Sequence, residues 1–145
     1  MNKCVFCEIA AKRIDPDLIV FENEQVITCI SLLQKPGNHG HVLVVPKKHF
    51  QNIYELSEEL DAPLMSALRL LSRAAKKAFS AEGIHIRQNN EPAAGQDVFH
   101  LHFHVIPRYQ GDAFEMKKYE KLTLQKRKEL AELLKPVVQN EMQNA

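Results

Sequence analysis

Two short runs of β-prone residues, Leu18–Phe21 and Val26–Ile30, flank the polar triplet Glu22-Asn23-Glu24, a pattern that predicts a hairpin. Lys35-Pro36-Gly37-Asn38 is a turn cluster. The run His41–Val45 is apolar after its first residue, as in a central strand, and Pro46 stops it because it has no N–H to donate. The period then changes. Leu60, Leu64, Leu68, Leu71, Ala75 and Ala78 recur at steps of three and four, which puts them on one buried helical stripe. Ser57-Glu58-Glu59 is its expected start, since Ser caps free N–H groups and acids suit the positive end of the helix dipole. Pro63 falls near the first turn, where a missing N–H costs little, and Gly83 marks the end.

Ile84–Gln88 predicts another strand, and a loop follows from Asn89 to Asp97. Phe99–Ile106 alternates with period two: Phe99, Leu101, Phe103 and Val105 on a core face, and His100, His102, His104 and Ile106 on the other. Leu124, Leu130, Leu133, Leu134 and Val137 return to helical spacing, with Pro136 as a kink or stop. Antiparallel strand pairs with a long helix between them predict an α+β domain. No repeat, low-complexity tract or linker divides residues 1–145.

Composition narrows the function. Hydrophobic residues are 45% and charged residues 26% of the 145, globular proportions. A formal charge of +1 is too balanced for binding nucleic acid by bulk charge. No apolar run approaches the roughly 20 residues of a membrane span, and no apolar signal segment follows Met1. Three cysteines, two of them as Cys4-x-x-Cys7, fit a cytoplasmic protein whose thiols are free for metal or redox chemistry. The seven histidines all lie at or beyond residue 39, which points to a site.

His100-Leu101-His102-Phe103-His104 is the strongest chemical signal. On a strand, positions i, i+2 and i+4 project from one face, and three imidazoles buried there without partners would each cost a few kcal/mol. A solvated histidine ladder and a purely metallic triad remain alternatives. Taken alone, Cys4-x-x-Cys7 is a redox pair or two half-buried thiols, and His49 is a loop histidine. His39 and His85 match no motif, and the Lys/Glu-rich stretch 115–129 reads as a solvated helical face.

The seven residues His-Leu-His-Phe-His-Val-Ile at 100–106 resemble the signature of the histidine triad (HIT) superfamily, His-φ-His-φ-His-φ-φ with φ apolar. The likeness extends to Cys4-x-x-Cys7, to Gly40-His41-x-Leu43-Val44-Val45-Pro46-Lys47-x-His49 and to the loop Asn89–Gln96, so it covers about residues 4–108 and leaves 109–145 as a helical extension. It implies a HIT-like α+β fold, an antiparallel meander sheet with one long helix and a C-terminal helix, and commonly a homodimer. It also implies a nucleotidyl hydrolase or transferase that cleaves at the α-phosphate of nucleoside phosphoramidates or dinucleoside polyphosphates, with a small purine nucleotide as substrate. The resemblance makes His102 the nucleophile, its ring oriented by the backbone carbonyl of His100. His104 and His41 would lie on the phosphate, Gln96 near the bridging atom and Asn89 on the phosphate. Zinc-bearing relatives imply a structural Zn2+ held by Cys4, Cys7, His49 and His100.

For the base pocket the likeness implies Phe6, Ile9, Ile14 and Ile30, each of which core packing explains equally well. Two departures stand out. Relatives hold the ribose hydroxyls with an Asp in an Asp-Ile-x run, where this chain reads Cys29-Ile30-Ser31, followed by a longer loop through Asn38. Asp97 stands where a small hydroxyl or apolar residue is common. These departures motivate a second reading, a nucleotide-binding sensor or scaffold that turns over slowly or not at all.

Overall fold

The computed structural model describes residues 4–144. A short helix α1, Val5–Ala10, leads into β1 (Ile19–Glu22), β2 (Val26–Ile30), the two-residue β3 (Leu33–Gln34) and β4 (Val42–Pro46). Helix α2, Asp61–Ala78, is followed by β5 (Gly83–Arg87), β6 (Phe103–Arg108), β7 (Glu120–Lys121) and helix α3, Leu124–Gln143. Five strands form one sheet in the order β1-β2-β4-β6-β5, all neighbours antiparallel. The chain thus meanders through β1, β2 and β4, crosses over through α2 to the far edge, and returns as β6 to close the middle. No helix among the described residues is long and apolar enough to cross a membrane.

Both faces of this sheet are covered, which is why β2 and β4 are buried at every position. On one face Val26, Ile30, Val42, Val44, Leu101 and Val105 pack with Leu64, Leu68 and Leu71 of α2 and with Ala131, Leu134 and Val138 of α3. The C-terminal extension therefore joins the same core. Lys77 and Glu141 pair across the two helices. On the other face Ile27, Cys29, Leu43 and Val45 meet Phe6 and Ile9 of α1. Six residues are too few for a helix to persist alone, so α1 depends on those two side chains and on Cys4, whose Sγ accepts the Cys7 N–H at 3.4 Å.

Several local expectations shift. Ser57 opens a 3₁₀ turn at Glu58–Leu60 without a side-chain cap, and α2 proper begins at Asp61. The regular part of the triad strand starts only at Phe103, because the Leu101 N–H turns aside to the carbonyl of Phe50 at 2.7 Å. Phe99 accordingly leaves the core and is 44% exposed. The strand continues through Pro107, and α3 continues through Pro136.

The long excursion between β2 and β4 has a clear physical cause. Its β3 pairs with β7, strapping it to the segment that follows β6. Gln34, fully buried, donates to the carbonyls of Ser31 and His41 and accepts from the N–H groups of Gly40 and His41. Buried Lys35 donates to the Phe114 carbonyl at 2.8 Å and lies over the rings of Phe114 and Tyr119. Asn38 donates to Pro107 O and Asp112. This strap becomes a wall of the site.

Candidate active site and metal centre

The pairing register sets a row across the sheet: Cys29 faces Leu43, Leu43 faces His104, and His104 faces Arg87. Paired residues share a face, so this row lies on the α1 side, and His102 and His41 extend it. His102 is 5% exposed, and its Nδ1 lies 2.7 Å from the carbonyl oxygen of His100. A carbonyl only accepts, so Nδ1 carries the proton and Nε2 holds the free lone pair. Burial lowers the His102 pKa below its ordinary value, opposed by the bond to His100 and the nearby Asp97. A neutral imidazole with a fixed tautomer is a competent nucleophile.

His41 and His104 form a second unit, with Nε2 of His41 2.8 Å from Nδ1 of His104. Burial pushes His41 down to about 3 and His104 down to about 2, so neither is charged near neutral pH. One ring must donate to the other. The buried Nδ1 of His41 has no partner. If His104 donated, that atom would be an unsatisfied N–H. If His41 donates, it is an unprotonated nitrogen, and His104 keeps its own Nε2–H for the pocket it lines. We assign the second arrangement.

A cavity of about 580 Å³ opens on these groups. Phe6, Ile9, Ile14 and Ile30 line it, as the resemblance implies, and Phe6, Ile9 and Ile30 belong to the core as well. Asn89 lines it too, its Nδ2 donating to the Gly95 carbonyl. Gln96 does not: its Oε1 accepts the Glu91 N–H at 2.7 Å, and its Nε2 donates to the carbonyls of Gln51 and Val98. Glu91 holds a positive φ of 72°, so Gln96 acts here as a brace for a strained loop rather than as a group on the pocket. Asp97 lines the rim, one carboxylate oxygen 4.0 Å from His102 Nε2.

Cys29 is in the lining, buried, with its thiol pushed up to about 12 by burial. A neutral thiol there cannot grip hydroxyls as a carboxylate would, and the hydroxyl of Ser31, also in the lining, is donated to the Leu33 carbonyl. Sequence reasoning missed Arg87, Tyr119, Leu124 and Arg127, all in the lining. The signal for Arg87 was its place in a strand ending just before the loop. Tyr119 lies just before β7 of the strap, and Leu124 and Arg127 lie in the first turn of α3.

Cys4, Cys7, His49 and His100 gather with their ligand atoms all within 4.8 Å of one another. Cys4 Sγ and Cys7 Sγ each lie 3.5 Å from His100 Nδ1, and Cys7 Sγ lies 3.2 Å from His49 Nδ1. A tetrahedral ion with metal–sulfur bonds near 2.3 Å and metal–nitrogen bonds near 2.05 Å needs S···N edges of roughly 3.5 Å. His100 Nε2 donates to the Pro46 carbonyl at 2.8 Å, which turns an unprotonated Nδ1 toward the thiols. The four residues fit a metal. Burial and the adjacent Cys4 raise the Cys7 thiol to about 11, a state that a bound cation would reverse. His39 instead contacts Glu120, and His85 meets Arg108.

Residues 12–111 match the HIT domain. The protein hit of Bacillus subtilis is 41% identical over 114 residues, covering 78% of this chain and 77% of that one. The adenylylsulfatase HINT3 of Arabidopsis thaliana is 37% identical over 112 residues, 77% of this chain and 55% of that protein. A zinc-bound histidine triad family protein from Mycobacterium smegmatis superposes with a TM-score of 0.82 at 29% identity, covering 99% of this chain and 98% of that one. With a triad that orients its central imidazole toward a nucleotide-sized cavity, and a matching domain over most of its length, this chain belongs to the HIT family.

Proposed function

We propose that the protein is a nucleotidyl hydrolase or transferase acting through His102. One observation carries the reading: the 2.7 Å contact between His102 Nδ1 and the His100 carbonyl, which leaves Nε2 free at the cavity. The apolar lining of Phe6, Ile9 and Ile14 takes the purine, and the histidines take the α-phosphate. The Nε2 lone pair forms a bond to phosphorus, and the bond from phosphorus to the leaving group breaks with its electron pair departing on that group. Water then attacks phosphorus, the N–P pair returns to Nε2, the water proton passes to solvent, and the nucleoside monophosphate is released. His104 donates Nε2–H to a phosphate oxygen, where charge develops, and His41 holds its tautomer.

The metal of the Cys4, Cys7, His49 and His100 set is zinc on this reading, supported by the two-thiol, two-imidazole donor set. Bound there, it supplies structure rather than a reactive water. The same proposal includes a cytoplasmic location and a homodimer, supported by free thiols and by the unpaired edge of β5, whose Ile86 is 46% exposed.

The test is AMP release from adenosine 5′-phosphoramidate, diadenosine tetraphosphate and adenosine 5′-phosphosulfate by wild-type and His102→Ala protein. Loss of a covalent nucleophile removes at least about 1,000-fold of kcat. A wild-type protein that binds AMP but releases none from any substrate is instead the sensor that Cys29 and Asp97 bring to mind.

A further inference from the structure

Four charged side chains line the cavity: Asp15, Arg87, Asp97 and Arg127. Asp15 is paired with Lys128 at 3.1 Å, and Asp97 is largely open to water. Arg87 differs. It stands opposite His104 in the ladder, so it shares the triad's face in the cavity. Its Nη2 donates to the Tyr119 hydroxyl at 2.9 Å, and its buried Nε has no partner. No carboxylate lies within 4.0 Å of it among the described residues. A guanidinium is charged at every working pH, and one that lines a cavity with no carboxylate partner leaves its charge for an anion from outside. Its planar fork matches the oxygens of a phosphate or sulfate.

We propose that Arg87, positioned by Tyr119, sets leaving-group specificity: the site favours nucleotide anhydrides whose departing group is itself an oxyanion, a phosphate chain or sulfate, over amidates. This rests on the nucleotidyl-transfer reading above. When His102 Nε2 bonds to phosphorus, the breaking P–O bond leaves its electron pair on the departing oxyanion, and Arg87 neutralises the added charge without any proton moving. A departing amine must instead gain a proton, which a guanidinium cannot give.

The experiment compares kcat/KM for adenosine 5′-phosphosulfate, diadenosine tetraphosphate and adenosine 5′-phosphoramidate in wild-type, Arg87→Met, Arg87→Lys and Tyr119→Phe proteins. Arg87→Met should lower kcat/KM on the two anhydrides by about 10- to 100-fold, the worth of a charge-assisted bidentate contact, and change the phosphoramidate by less than about threefold. Arg87→Lys should fall between, since charge without the fork is retained, and Tyr119→Phe should shift the same ratio by a smaller factor. Loss on only one anhydride supports the assignment and names the anion as sulfate or phosphate. Equal loss on all three substrates overturns it, because Arg87 would then serve the scissile phosphate, and so does no change on any.

A binding readout separates this from failure of the underlying reading. In a His102→Ala background, Arg87→Met should weaken ADP by at least about 10-fold and AMP by less than about threefold. Equal weakening of both, or of neither, overturns the proposal whether or not the wild-type protein turns over.

Discussion

Acidification should destabilise this fold in a way that can be traced to one pair of residues. His41 is buried and held at about 3, and His104 at about 2, so the native state binds no proton at either ring between pH 7 and pH 5. The unfolded chain protonates both near 6.5. Where the unfolded state binds more protons, stability rises with pH, so it is retained above 6.5 and lost as pH falls toward the depressed native values. Between pH 7 and pH 5 each histidine therefore removes about 2 kcal/mol, and the pair about 4 kcal/mol. The assay is urea unfolding at pH 7, 6 and 5, followed by far-UV circular dichroism because the chain has no tryptophan. His85, His100 and His102 are also held low, and they act in wild-type and variant alike. The pair is isolated by the difference between wild-type and a His41→Gln/His104→Asn double variant, whose pH-dependent loss should be smaller by about 4 kcal/mol. An identical pH dependence in the two proteins would show that the rings are protonated in the native state or never differ from the unfolded chain. The neutral-pair assignment would then be wrong.

Three further outcomes follow from packing and ligation. Gly40 has a φ of +110°, and a Cβ there would stand 2.5 Å from the Phe79 ring, so Gly40→Ala should cost about 2–4 kcal/mol by urea titration. Leu71, fully buried between α2 and the sheet, should lose about 3 kcal/mol as Leu71→Ala while activity per folded molecule is unchanged, measured by a thermal melt beside a turnover assay. On the zinc proposal, elemental analysis should find about one equivalent of zinc in the wild-type and His102→Ala proteins and none in Cys4→Ser, Cys7→Ser and His49→Asn. Its removal by a chelator should lower the melting temperature by roughly 10 °C.

Periodicity in the sequence located most of the sheet and both long helices, because each has one face that must be apolar. It missed the features held by polar groups. Helix α1 has only two buried apolar residues and is nucleated by a thiol cap, which no apolar period reveals. The β3–β7 pair is two residues long and is kept in place by the buried amide of Gln34 and the ammonium of Lys35, residues that composition would put outside. Phe99 fits the alternation yet is exposed, since the chain leaves the ladder where Leu101 bonds to Phe50. The motif residues His41, His102 and His104 lie together in the structure, and so do Cys4, Cys7, His49 and His100. Motif spacing placed Gln96 on the pocket, whereas a brace for Glu91 already occupies both ends of its amide. The arginines were illegible because their meaning lies in what they lack: a carboxylate partner is visible or absent only in three dimensions.

His100 joins the two halves of the site, and its three polar groups serve three different partners. Nδ1 faces the thiols, Nε2–H holds Pro46, and the backbone carbonyl receives the His102 proton. The side chain thus fixes the peptide that fixes the tautomer of His102. His100→Asn removes the ring but keeps the carbonyl, so the bond to His102 can still form, only with its acceptor less firmly held. The expected loss in kcat is then about 10- to 100-fold, the range for groups that orient a neighbour, with KM little changed and metal content reduced. Nitrogen NMR of the His102 ring should still report a protonated Nδ1, with greater exchange broadening than in wild-type protein. A loss as large as that of His102→Ala would mean that the His100 ring acts on substrate itself. No loss at all would mean that the thiol–imidazole cluster and His102 are independent, and that the carbonyl alone suffices to hold Nε2 in line.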